Sequence, residues 1–188
     1  MDHHTHTSGT GSTAALDGHP LHPMLVGFPI TLFIGAFVTD VVHLATRGAF
    51  WAQSSVWLLA AGVAMGLLAA VPGAIDLLTI EHARRWRLAW THGLMNLGLV
   101  ALAAMNLTLR WRDPEAAVAP FGVLLSAICV GLLAITGWLG GEMVYRHGVG
   151  VSKSVSRSTE GSDAAHDAAT TRASAAHGGE HAASARRH

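Results

Sequence analysis

The stretch HPLHPMLVGFPI, His19 to Ile30, stands where a polar N-terminal tail turns into a long apolar run. Pro23 suits the first turn of a helix, where a missing N–H costs nothing. Pro20 keeps the preceding chain extended, because the residue before a proline avoids helical geometry. The imidazoles of His19 and His22 are therefore carried at the mouth of a helix whose apolar run is long enough to enter a membrane.

The rest of the chain supports that reading. Of 188 residues, 51% are hydrophobic and 13% charged, against about 25% charged in ordinary soluble domains. The mean hydropathy is +0.38. Nearly all the apolar content lies between two polar tails, residues 1–18 and 152–188, which are poor in large apolar side chains and are expected to be disordered. Zero formal net charge leaves no basic footprint for nucleic acid. Cys129 is the only cysteine, which excludes an internal disulfide and a cysteine-built metal cage.

A membrane helix needs about 20 mainly apolar residues. Four segments in 19–151 qualify: Met24–Ala45, Ser55–Ile80, Leu88–Trp111 and Val118–Gly141. Trp51, Trp57, Trp86, Trp90, Trp111, Trp138 and Tyr145 flank them, as an aromatic belt at both headgroup levels requires. The first span lacks a basic n-region and contains Asp40 and His43, so it reads as a retained helix rather than a cleaved signal. Short connections make an all-α, up-down-up-down four-helix bundle the expected fold. Gly62-x-x-x-Gly66 and Gly137-x-x-x-Gly141 offer small surfaces for close helix approach, within the bundle or between copies in a homo-oligomer.

Ionisable side chains inside spans are costly and mark candidate sites. One end of the bundle collects His19, His22, Asp76, His82, His92, Asn96, Glu142, Tyr145 and His147; the other holds Asp40, His43 and Asn106. His92 and Asn96 share a helix face. Antiparallel connections bring His22, Asp76, His92 and Glu142 to one depth, so a polar layer drawn from all four spans is expected. Asp40 is expected to accept from the imidazole of His43. Three functions remain open for the layer. It holds a cofactor or metal, it fixes helix register in a non-catalytic scaffold, or it handles protons or cations. Imidazole is a proper axial ligand for haem iron, which makes His22 and His92 the candidate ligands for haem b or a metal ion. Asp76 and Glu142 are then the acceptors that orient them, and a quinone is a further candidate. No P-loop, G-x-S-x-G or H-E-x-x-H motif points to a soluble-enzyme chemistry. His3, His4 and His6 in one tail, and His166, His177, His181 and His188 in the other, are sparse enough to be solvated sequence or weak metal binders.

Four segments carry a family resemblance: HPLHPMLVGFPI, GLLAAVPGAIDLL, THGLMN and GWLGGEMVYRHGVGV. Together they resemble a bacterial family of four-span membrane proteins catalogued as domain of unknown function twenty-two thirty-one. Gly27 departs from the pattern of many members of that family, which carry histidine there. Some relatives resemble fusions to Rieske iron–sulfur or cytochrome domains, which implies redox partners in the membrane by association.

Orientation follows from the loops. Arg84, Arg85 and Arg87 lie between spans two and three, and Arg146, Lys153 and Arg157 follow span four, against Arg47, Arg110 and Arg112 on the opposite side. Basic residues favour the cytoplasm, so both termini are expected there, in a bacterial inner membrane. Reporter fusions after Arg47 and Arg112 should register the periplasm, and fusions after Arg85 and Val151 the cytoplasm; the opposite pattern would invert the bundle.

Overall fold

A chain in hydrocarbon has no water to satisfy its peptide groups, so helices must close those bonds internally. The computed structural model describes residues 12–17 and 19–145. It contains four helical segments long and apolar enough to cross a membrane: Leu21–Thr46, Ala49–Thr79, Arg87–Arg110 and Pro114–Tyr145. We label the helices α1 (Leu21–Thr46), α2 (Ala49–Thr79), α3 (Glu81–Arg85), α4 (Arg87–Arg110), α5 (Pro114–Ala117) and α6 (Val123–Tyr145). Each long helix packs on the next, α1 on α2, α2 on α4 and α4 on α6, and α6 closes the ring against α1. Helices α1 and α4 are therefore the diagonal pair and run in the same direction.

The helix ends differ from the sequence expectation in three places. Helix α1 begins at Leu21, so His22 and Pro23 lie in its first turn and Pro20 occupies the N-cap position. Helix α2 starts six residues before Ser55, because Phe50 and Trp51 extend the apolar run toward the interface. The fourth span is interrupted at Val118–Gly122, where Ala119 has extended dihedrals. There Pro120 has no N–H for a helical bond. Ahead of α1, Ala15–Leu16 pairs antiparallel with His19–Pro20. Residues 12–17, which composition alone assigns to the polar tail, form this ordered entry.

The core is apolar at mid-depth: Phe33, Ala36, Leu59, Leu99, Ala103 and Cys129 form one buried cluster. Small residues make it possible. A Cβ on Gly62 would lie 2.6 Å from the Phe33 ring, and one on Gly66 would lie 2.9 Å from a Val100 methyl. Both glycines thus seat neighbouring side chains. Gly137 has nothing within 4 Å, and Gly141 meets only Tyr145 of its own helix. Of the two small-residue motifs, the one on α2 is used inside the bundle.

Buried and half-buried residues of α1 and α4 fall on matching stripes. Positions 22, 29, 33, 36 and 40 on α1 correspond to 92, 99, 103, 106 and 110 on α4, each pair 70 apart. From the first to the last position is 18 residues, five helical turns and about 27 Å, close to the hydrocarbon thickness of roughly 30 Å. Each helix therefore carries its polar ends on one inward face, with apolar residues between.

Gly62→Ala should destabilise the bundle by about 1–3 kcal/mol through overpacking against Phe33, whereas Gly137→Ala should leave it unchanged. Thermal unfolding in detergent checks the order; a larger loss for Gly137→Ala would relocate the tight contact to α6.

Candidate functional site

At the His22 end, two imidazoles meet across the bundle. His22 in the first turn of α1 and His92 on α4 have ring centres 6.4 Å apart, with planes 87° from parallel. Both Nδ1 atoms are anchored on backbone carbonyls of the following long helix: His22 on Ala69 O at 2.9 Å and His92 on Thr136 O at 3.1 Å. A carbonyl only accepts, so both Nδ1 atoms donate and the hydrogen-bond partners assign that tautomer. Asn96 Nδ2 donates to His92 O at 2.8 Å and also lies 3.2 Å from His92 Nε2. His92 Nε2 therefore accepts and presents a lone pair. His22 and His92 are half-buried, and each ring rests on a glycine four residues beyond its carbonyl partner. A Cβ on Gly73 would lie 2.8 Å from His22 Nδ1, and one on Gly140 would lie 3.2 Å from His92 Cε1.

Asn96 thus joins His92, while Asp76 of the expected layer turns to the entry segment. Asp76 does not orient either imidazole. Its carboxylate accepts from Ser12 Oγ at 2.7 Å, Thr13 N at 2.8 Å, Thr13 Oγ1 at 3.1 Å and Ala14 N at 2.9 Å. The irregular entry segment has unpaired donors, and Asp76, one turn from the end of α2, is the carboxylate within their reach. His19 is exposed, with Nδ1 3.0 Å from Asp17 O. Glu142 is half-buried near the end of α6. His147 and the tail histidines lie outside the described residues. Among the described residues, no group of three or more His, Cys, Asp or Glu converges in a way that would hold a metal ion.

At the opposite end, Asp40 pairs with Arg110 rather than with His43. Both side chains are fully buried, and the guanidinium forks over the carboxylate: Nη1 donates to Asp40 Oδ1 and Nη2 to Asp40 Oδ2. Ser126 Oγ also donates to Asp40 Oδ2, at 2.7 Å. Arg110 Nη1 reaches Ser55 Oγ, and its Nε donates to Asn106 Oδ1 at 2.9 Å. Asn106 Nδ2 in turn donates to Gly122 O at 3.2 Å, a carbonyl presented at the break before α6. Every long helix contributes a side chain, and among the described residues no buried side-chain polar atom lacks a partner. His43 instead bonds the α1–α2 connection, Nδ1 to Gly48 O at 3.0 Å. The nearer carbonyl suffices for the imidazole, while Asp40 one turn deeper needs a cation.

Residues 18–153 match the model of the family described as predicted membrane protein, DUF2231. The chain belongs to this family. Among curated proteins and solved structures nothing matches it. The family match spans both polar ends, from His22 and His92 to Asp40 and Arg110.

For this family member, Arg110 is the residue that sequence reasoning missed, since its place at the end of a span makes it look like a loop cation. The available signal was its spacing from Asn106, four residues away on the same face, and a lone Asp40 in the facing span that required a positive partner.

Breaking the pair should cost much more than removing it. Asp40→Leu or Arg110→Met alone leaves a buried unpaired charge, for about 3–5 kcal/mol, and the double variant should recover a large part of that loss. Additive losses in a double-mutant cycle of detergent unfolding would show that the two side chains do not interact.

Proposed function

We propose that this multi-pass membrane protein is a redox-associated module that holds a metal-containing group between His22 and His92. The observation that carries the reading is the facing pair of backbone-anchored imidazoles. A backbone carbonyl on Nδ1 is the arrangement that orients a histidine to ligate through Nε2. A metal–imidazole bond is about 2.0–2.1 Å, so His22 and His92 would hold one metal between them only if their rings lie within several ångströms of each other. The observed separation is 6.4 Å. With two imidazoles and no third ligand of the usual kinds among the described residues, the donor set suits an iron already held by a macrocycle, as in haem b, or a metal ion content with few protein ligands. When bound, such a group supplies one-electron chemistry; the residues supply its place.

A quinone fits less well. Its carbonyl needs a donor, and His92 Nε2 accepts. A continuous proton or cation path fits less well also, because the apolar cluster around Phe33, Leu59 and Leu99 separates the two polar ends. The second reading is a scaffold, favoured by the fully paired Asp40–Arg110 network, with helix register as its whole purpose. In our reading the His22 end faces the cytoplasm of a bacterial inner membrane. Arg110, neutralised by Asp40, no longer counts among the free charges opposing that orientation. Partners would be membrane redox proteins of the Rieske or cytochrome kind.

Full-length protein in nanodiscs, titrated separately with ferric haem, zinc and copper ions, tests the reading. Saturable binding is expected, with a shifted Soret band if haem is the group, lost in His22→Ala and His92→Ala. Asn96→Leu should bind at least as tightly as the unaltered protein, since Asn96 competes for His92 Nε2. If the unaltered protein takes up none of the three, or the alanine variants bind equally well, the scaffold reading replaces this one.

A further inference from the structure

The two histidine-bearing helices are supported alike up to one point. His22 rests on Ala69 O and Gly73 of α2, and His92 on Thr136 O and Gly140 of α6. Three residues past the glycine, α2 has Asp76 and α6 has Met143. Met143 packs against Ile80, Ala83 and Ala89, the stretch that leads into α4. Asp76 holds Ser12, Thr13 and Ala14, the stretch that leads into α1. One entry is held by apolar packing, the other by a carboxylate.

The entry to α1 needs that support. Pro20 at the N-cap position supplies no side-chain hydrogen bond, and Pro23 has no N–H. The Leu21 N–H is taken by Ala14 O at 2.9 Å, and Ala14 itself donates to Asp76 Oδ1. Upstream of α4 the chain is tied to α2 through α3, whereas upstream of α1 the described chain offers only this short segment. We infer that Asp76 is a positioning residue for His22. Holding Ser12–Ala14 keeps Ala14 O on the Leu21 N–H, which fixes the first turn of α1 and sets the His22 ring opposite His92. The inference rests on the proposed function only for what the positioned ring then does.

Full-length protein in nanodiscs, with nitrogen-15-labelled histidine, should show protected Nδ1–H signals from His22 and His92 beside that of the buried His43, the first two assigned with His22→Gln and His92→Gln. Asp76→Leu should abolish the His22 signal and leave that of His92. Thr13→Pro, which removes the N–H and the hydroxyl that Asp76 accepts, together with the hydroxyl's contact to Thr79, while leaving every residue of α2 in place, should do the same and decides the matter if Asp76→Leu does not fold. Asp76→Asn keeps an oxygen that accepts the Thr13 and Ala14 N–H groups, so it should restore the His22 signal. Survival of the His22 signal in Asp76→Leu and Thr13→Pro, or loss of both signals together, overturns the inference. If the unaltered protein binds metal, Asp76→Leu should weaken that binding roughly 10–100-fold, the usual effect of losing an outer support. A protein that binds no metal but loses the His22 signal alone refutes the proposed function and leaves this inference standing; binding with an unmoved His22 signal does the reverse.

Discussion

A guanidinium in hydrocarbon has to find a carboxylate, and here Arg110 finds Asp40. The geometry of a helix makes this possible at the end of a span. Side chains lean toward the N-terminus of their own helix, so Arg110, the last residue of α4, leans back into the bundle. Asn106, one turn earlier, accepts from its Nε and holds it on that course. The bidentate fork then leaves little freedom in the register of α1 against α4, because sliding either helix by one turn would part the charges and leave both unpaired. Ser55 and Ser126 add the remaining two helices to the same knot.

Register set at one end is transmitted to the other by helix periodicity. From Asp40 back to His22, and from Arg110 back to His92, are 18 residues each, a whole number of turns at 3.6 residues per turn. Two parallel diagonal helices that meet at Asp40–Arg110 must bring the histidines to the same depth and the same inward face. The intervening residues keep water out: Phe33 fits against Gly62, and Leu99 and Ala103 close the same layer. The imidazole pair is thus placed by a charge pair most of a membrane away, and it lies beside carbonyls that leave Nε2 to point elsewhere.

The two halves of the bundle repeat one device. In each, a histidine near the start of a rising helix donates Nδ1–H to a carbonyl of the descending helix, with a glycine one turn on to admit the ring. Two such halves in the same orientation bring their imidazoles together edge-on across the bundle. They differ at the opposite end, where one half carries the anion Asp40 and the other the cation Arg110, so that the halves attract each other there.

Much of this was legible before any fold was known. Four long apolar runs with aromatic flanks can do little except cross a bilayer as helices, since hydrocarbon forbids unsatisfied backbone, and the depth of each polar residue follows from its count along a straight helix. That reasoning placed His22 and His92 in one layer. Depth along a helix, however, is a one-dimensional quantity, and the direction and reach of a side chain are not. Asp76 shares the depth of the histidines yet turns to Ser12–Ala14, because the donors of an entry segment, invisible to composition, came within its reach. Arg110 sits where loop charges sit, yet its side chain runs inward to Asp40. Which residues reach the membrane was determined by the sequence alone. Which of them touch was decided only when helix rotation and side-chain lean set the polar groups against one another, since a buried charge is stable only beside the particular partner that packing brings to it.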